Sequence, residues 1–206
     1  MATRSPQGLA FDALLLDADG VVQRTAPGWK ARLRDLHPAD PDGFLTELFA
    51  AERPCLAGNA DFANVLQELL SRRGIATPVQ DVLAFWTMIE ADEAVLALVA
   101  SLRKRGTVVA LATNQQAHRA AHMQHTMAYA KHFDHSFYSC ELGYTKPSAA
   151  FFHTIADALN VPHERILFVD DHDANVEGAR QCGLQAHQYH LDQGVARLEQ
   201  LLGLCT

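Results

Sequence analysis

Cysteine is scarce in this chain of 206 residues, and the four present, Cys55, Cys140, Cys182 and Cys205, stand far apart. Their scatter gives neither the short pairs of a zinc site nor a disulfide framework, and fits thiols kept reduced. No apolar run approaches the ~20 residues that cross a bilayer. The opening Met1-Ala2-Thr3-Arg4-Ser5-Pro6-Gln7-Gly8 has no apolar core of signal-peptide length. Positive charge is also short: 17 Lys and Arg against 24 Asp and Glu leave a net charge of −7 with His neutral. That removes the basic footprint a nucleic-acid binder needs. Low-complexity tracts and internal repeats are absent. These absences lead us to expect a cytoplasmic protein, monomer or homodimer, with neither nucleic acid nor membrane as partner.

What is present is a full core. Hydrophobic residues make up 49% of the chain, and its length suits one domain with a large insertion, or two small domains. Apolar runs predict strands at 11–16, 108–112, near 137, at 166–169 and at 185–188. Helical periodicity predicts helices over about 95–102, 117–132, 147–159, 174–182 and 195–201. Strands alternating with helices imply right-handed crossovers and an α/β fold, a doubly wound parallel sheet of the Rossmann-like kind. Residues from about 22 to 90 differ: apolar helical faces at 44–49, 62–70 and 82–86 sit among Pro and Gly, with no strand pattern. The expected division is a core of 9–22 and 91–206 with an all-α cap, 23–90, inserted after the first strand.

The strand ends carry the chemistry. In a doubly wound sheet, ligands bind beyond the carboxyl ends of the strands. The first strand runs into Asp17-Ala18-Asp19-Gly20, a later one into Thr113-Asn114, and another into Asp170-Asp171, while Lys146-Pro147 precedes a helix. Two carboxylates as close as Asp17 and Asp19 repel unless a proton or a cation intervenes, and Mg2+ accepts such hard oxygen ligands. If the substrate is a phosphate ester, each group has a use. Asp17 can attack phosphorus as a nucleophile, and Asp19 can protonate the leaving oxygen and then deprotonate water. Lys146 offsets negative charge, Thr113 grips phosphate oxygens, and Asp170 and Asp171 complete the Mg2+ site. Plainer readings exist for some of these: Thr113-Asn114 as a helix cap, Pro147 in a first helical turn, and Asp173 as an N-cap.

In this order and spacing, Asp17-Ala18-Asp19-Gly20-Val21, Thr113-Asn114, Lys146-Pro147 and Asp170-Asp171 resemble the haloacid dehalogenase-like hydrolase superfamily. The tract from Val169 to Arg180 is similar to the fourth motif of members with a small helical cap. The resemblance implies Asp17 as nucleophile and Asp19 as general acid/base. It implies Thr113, Asn114 and Lys146 as phosphate-binding residues. Its metal contacts are an Asp17 oxygen, the backbone carbonyl of Asp19 and an acid of the fourth motif, Asp171 before Asp170. Because the dehalogenase branch lacks the second Asp, an intact Asp19 implies a Mg2+-dependent phosphatase acting on a small phosphorylated metabolite. A sugar phosphate, a nucleotide or a phosphorylated acid would all fit. The alternatives are a phosphosugar mutase and a non-catalytic binding protein of the same fold.

Substrate choice is expected in the cap, where Arg24, Trp29, Lys30, Arg32, His37 and Arg53 are the candidates. The continuation Val22-Gln23-Arg24-Thr25 departs from the Thr-Leu common in the superfamily. His118, His122 and His125 would share one face of a continuous helix, a spacing that can bind zinc or nickel. With no acid or thiol nearby in sequence, a solvated face or an oligomer contact is the expectation for them.

Overall fold

A computed structural model describes residues 9–204, so the opening segment and Cys205 lie outside the described residues. The apolar run Ala13–Leu16 forms β1, with every residue buried. After it come β2 (Gln23–Thr25), α1 (Trp29–Asp35), α2 (Pro41–Leu56), α3 (Phe62–Arg72), α4 (Val79–Leu83) and β3 (Ile89–Ala91). The chain continues through α5 (Glu93–Lys104), β4 (Val108–Thr113), α6 (Ala117–Ala121), α7 (Tyr129–His132), β5 (His135–Tyr138) and α8 (Ser139–Leu142). It closes with α9 (Ala149–Leu159), β6 (Ile166–Asp170), α10 (Asp173–Gln181), β7 (Gln185–Gln188) and α11 (Val195–Leu201).

Five strands form one parallel sheet in the order β5-β4-β1-β6-β7. Alternation along the strands divides the core. Leu14, Leu16, Val109, Leu111, Leu167 and Val169 face α5, Tyr129 and α11. Ala13, Leu15, Ala110, Ala112, Ile166 and Phe168 face Phe151, Phe152 and Ile155 of α9 and Val176 of α10. Both faces are covered, so these strands read as unbroken apolar runs. From β1 the chain reaches β4 on one side and β6 on the other, so strand order reverses at β1. Its carboxyl end, where Asp17 sits, is therefore the crevice of the sheet.

The insertion between β1 and α5 is rooted in a two-stranded antiparallel ribbon, with Gln23 opposite Ala91 and Thr25 opposite Ile89. The sequence predicted no strand here; three-residue strands are too short to show alternation. The helices beyond it bury their own core of Leu33, Phe44, Leu48, Leu66, Leu69, Val82 and Trp86. Asp40 and Asp61 cap α2 and α3 by accepting from Gly43 N–H and Asn64 N–H.

The continuous helix predicted over 117–132 is broken. After α6 comes a single π turn, His122–Thr126, then Ala128 with φ 56 before α7. The break lets both Met123 and Tyr129 bury completely. It also brings the Tyr129 hydroxyl to Gln23 Oε1 at 2.9 Å. Tertiary packing overrides the helical period at this point.

Candidate active site

Asp17, one residue past β1, is buried and donates its N–H to Val169 O at 2.9 Å. The turn after it depends on Gly20, whose φ is +76 and whose missing Cβ would lie 2.5 Å from Asp171 Oδ2. Only glycine allows both the left-handed backbone and the approach of Asp171.

Lys146 is the hub. Its buried Nζ lies 2.7 Å from Asp17 Oδ1 and 2.6 Å from Asp170 Oδ2. Asn114 holds it from β4's end: Lys146 N–H donates to Asn114 Oδ1 at 2.9 Å, and Asn114 Nδ2 donates to Lys146 O at 3.1 Å. The Lys146–Pro147 bond is cis, and α9 begins only at Ala149, capped by Ser148. Pro147 is thus not in the first helical turn. Nor do Thr113 and Asn114 cap α6; Gln116 does, accepting from His118 N–H and Arg119 N–H. Thr113 is buried, and its Oγ1 accepts from Gln115 Nε2 at 3.2 Å.

Asp170 is fully buried and heavily bonded. Besides Lys146, it accepts from Asn175 Nδ2 at 3.0 and 3.1 Å and from His172 N–H at 2.8 Å. Asp171 is the opposite case: among the described residues its buried Oδ1 has no hydrogen-bond donor. The N-cap of α10 is His172, with Asp173 in the first turn rather than at the cap.

Asp17, Asp170 and Asp171 each offer an oxygen within 4.8 Å of the other two. Three carboxylates against one lysine leave two negative charges uncompensated when all are ionised. Burial, with Asp170 and Asp19 adding to it and Lys146 opposing, pushes the Asp17 carboxyl up to about 6. Burial alone would lower the Lys146 ammonium, but Asp17 and Asp170 outweigh it and hold it above the usual lysine range. One lysine shared by two acids compensates neither fully. The orphaned Asp171 oxygen and the hard donor set fit a divalent cation such as Mg2+.

The Asp19 side chain is not a member of that cluster. Its Oδ1 accepts from Arg119 at 2.6 Å and Gln23 Nε2 at 3.0 Å, and its Oδ2 from Gln115 Nε2 at 2.8 Å. Gln23, Gln115 and Arg119 are all buried. Sequence reasoning missed them; the available signals were Gln115 directly after the Thr-Asn pair and Arg119 four residues further along.

The helical insertion touches the core beside this site. Ser139 Oγ donates to Leu56 O at 2.5 Å, and Gly58 lies too close to Cys140 O for any Cβ. Of the cap residues expected to meet substrate, Arg24 pairs with Asp92 at 2.8 Å and Trp29 packs on Phe49 and Trp86. His37 stacks on Phe44, while Lys30, Arg32 and Arg53 are exposed. Glu52, which the sequence did not single out, accepts from Trp86 Nε1 at 2.6 Å and feels both Arg119 and Asp19. Burial pushes its carboxyl up to about 7, against the pull of Trp86 and Arg119. A cavity of about 270 Å³ opens beside Asp19, lined by Gly20, Arg24, Thr25, Asp171, His190 and Leu191 among others.

The three histidines differ in burial. His118 has a buried Nε2 with no partner among the described residues, His122 is half-buried and His125 is exposed. Among the described residues, the three carboxylates form the cluster able to hold a metal, and no histidine joins it.

The family model for haloacid dehalogenase-like hydrolases matches residues 11–183, a span that holds Asp17, Thr113, Lys146 and Asp170. The chain belongs to the haloacid dehalogenase-like hydrolase family. Mouse bifunctional epoxide hydrolase 2 is 27% identical over 108 residues, covering 50% of this chain and 20% of that protein. The chain spans a fifth or less of the length of the curated relatives it matches. The fold is that of a HAD family enzyme from Bacteroides thetaiotaomicron, with TM-score 0.81, 16% identity, and coverage of 92% of this chain and 98% of that one. That enzyme has also been solved with magnesium and inorganic phosphate. L-2-haloacid dehalogenase from Xanthobacter autotrophicus shares the fold too, at TM-score 0.65 and 16% identity, covering 95% of this chain and 84% of that one.

Proposed function

We propose that this hydrolase is a Mg2+-dependent phosphatase that cleaves small phosphate monoesters through a phosphoryl group carried on Asp17. The observation that carries the reading is Asp19, a second carboxylate two residues from the nucleophile and held by three side-chain donors. A halide leaves without a proton, so a dehalogenase has no use for such a group. An alkoxide leaving from phosphorus needs one.

In the first step an Asp17 oxygen attacks phosphorus, the ester P–O bond breaks, and its electron pair leaves on the alcohol oxygen. Asp19, in its protonated form, delivers the proton to that oxygen. In the second, Asp19 takes a proton from water, the hydroxide attacks phosphorus, and the bond to Asp17 breaks to release phosphate. To reach the leaving oxygen, Asp19 must give up its contact with Arg119. Lys146 neutralises the nucleophile and the incoming phosphate, and the Thr113 hydroxyl and nearby amides hold phosphate oxygens. Asn114 contributes by fixing the Lys146 backbone. Asp17, Asp171 and the Asp19 carbonyl would hold Mg2+, with Asp170 orienting Lys146; the ion would supply charge neutralisation at the phosphoryl group. Residues 23–90 act as the substrate-selecting cap over a core of 9–22 and 91–206. The magnesium-and-phosphate complex of the Bacteroides neighbour supports this reading.

The test is phosphate release from an aryl phosphate with and without Mg2+. Activity that needs Mg2+ and disappears in Asp17→Asn is expected. Release unchanged in that variant, or none across a broad panel of esters, would overturn the reading. Isomerised phosphosugar with little free phosphate would indicate a mutase instead.

A further inference from the structure

We propose that the cavity beside Asp19 and Asp171 is the subsite for the leaving group, where Arg24 and His190 select hydroxyl-rich alcohols such as polyols and sugars. The inference rests on the phosphatase reading and deepens it by naming a substrate class.

The cavity meets the reaction at Asp19 and Asp171, which both line it. An alcohol that takes its proton from Asp19 must come within hydrogen-bond reach of that carboxyl, and the cavity opens there. One wall is the segment after β7, and it is fastened to both catalytic turns. Leu191 N–H donates to Gly20 O at 2.7 Å, Tyr189 N–H to Asp170 O at 3.0 Å and Gln188 Nε2 to Asp171 O at 2.9 Å. These bonds hold His190 against the ends of β1 and β6. A second wall is β2, at the root of the insertion. There Arg24 bonds Asp92 at 2.8 Å, and Asp92 caps α5 by accepting from Ala94 N–H and Val95 N–H.

The lining is acid in charge but mixed in hydrogen bonding. Asp19, Asp171 and Asp192 stand against one guanidinium, Arg24, which already has Asp92 as counter-ion. His190 Nδ1 accepts from Asp192 N–H at 3.3 Å, so the ring is neutral and carries its proton on Nε2. The charge that Mg2+ would bring is matched by that of the phosphate it binds. A carboxylate or second phosphate on the leaving group would therefore enter an excess of negative charge. A hydroxyl finds partners of both kinds. It can accept from the guanidinium donors that Asp92 leaves unused or from His190 Nε2–H, and it can donate to Asp192. At about 270 Å³ the cavity is smaller than the ~300–1,000 Å³ of pockets for drug-sized ligands, which suits a leaving group of roughly three to six carbons.

The experiment compares kcat/KM for sorbitol 6-phosphate, 6-phosphogluconate and hexyl phosphate. All are primary esters on chains of equal length; they carry hydroxyls, hydroxyls with a terminal carboxylate, or neither. Wild type should favour sorbitol 6-phosphate over each of the others by about tenfold or more. Arg24→Gln and His190→Phe should each narrow its lead over hexyl phosphate by about three- to tenfold, chiefly through the KM of sorbitol 6-phosphate. Asp192→Lys should raise 6-phosphogluconate relative to sorbitol 6-phosphate, a gain that a damaged fold cannot produce. Ratios unchanged in these variants, or a wild type that prefers either of the other two esters, would overturn the subsite while leaving the phosphatase reading in place. A wild type that releases phosphate neither from these esters nor from an aryl phosphate would overturn both.

Discussion

Asn114 and Lys146 grip each other twice, side-chain amide to backbone, at 2.9 and 3.1 Å. This pairing ties the end of β4 to the segment that delivers the buried ammonium between Asp17 and Asp170. The expected result for Asn114→Ala is a loss of about 1–3 kcal/mol from unfulfilled buried backbone groups. Misplacement of Lys146 should also cost roughly 100-fold in kcat. Urea denaturation and steady-state phosphate release measure the two. An alanine variant with wild-type kcat would show that Lys146 does not need this clamp.

Lys146→Met leaves two carboxylates buried without their shared cation. The expected destabilisation is about 3–5 kcal/mol, because breaking a buried pair strands a charge. Adding Asp170→Asn should return part of that stability without restoring activity. A double-mutant cycle checks it; strict additivity of the two substitutions would mean that the pair is not energetically coupled.

Mg2+ affinity should depend on pH through Asp17. Its carboxyl sits near 6 in the metal-free protein, so below that pH the cation must displace a proton. Affinity is expected to rise with pH up to about 6 and then level off. Calorimetry in buffers of different ionisation enthalpy should find proton release at the acid end and almost none at pH 8. Proton release that does not change with pH would remove Asp17 from the ligand set.

Glu52 gives a stability prediction with a definite sign. Its folded pKa, about 7, is raised above the unfolded value of 4.5, so the folded protein binds an extra proton between them. The stability this contributes is present below pH 4.5 and lost as pH rises through 7. Glu52→Gln should therefore stabilise the protein at pH 8, by on the order of 1–3 kcal/mol, with the gain shrinking as the pH falls toward 4.5. Denaturant midpoints at several pH values would show it. A gain that grows toward acid pH would contradict the assignment.

The sheet and its site were legible from strand ends because both faces of a parallel sheet are covered and its strands read as unbroken apolar runs. Asp17, Lys146, Asp170 and Asp171 could be brought together from the sequence because each sits at or near the carboxyl end of such a run, or next to a helix start. The cradle around Asp19 was not legible. Gln23 reaches it through a three-residue strand with no alternation, and Arg119 through a helix whose continuation the π turn breaks. Glu52 was invisible for a different reason. Nothing local marks a glutamate late in an amphipathic helix; only the docking of α2 on the core brings it near Asp19. The basic cap residues that the sequence favoured are exposed or paired within the cap and its root.

The most direct test of the account uses Asp19→Asn with an aryl phosphate, whose leaving group needs no proton, in the presence of Mg2+. Phosphoryl transfer to Asp17 should proceed while its hydrolysis stalls for want of a base. Rapid quench and peptide mass analysis should then find one phosphoryl group on the peptide containing Asp17. Phosphate released at the wild-type rate, with no phosphoryl group on Asp17 at any time, would contradict the central claim.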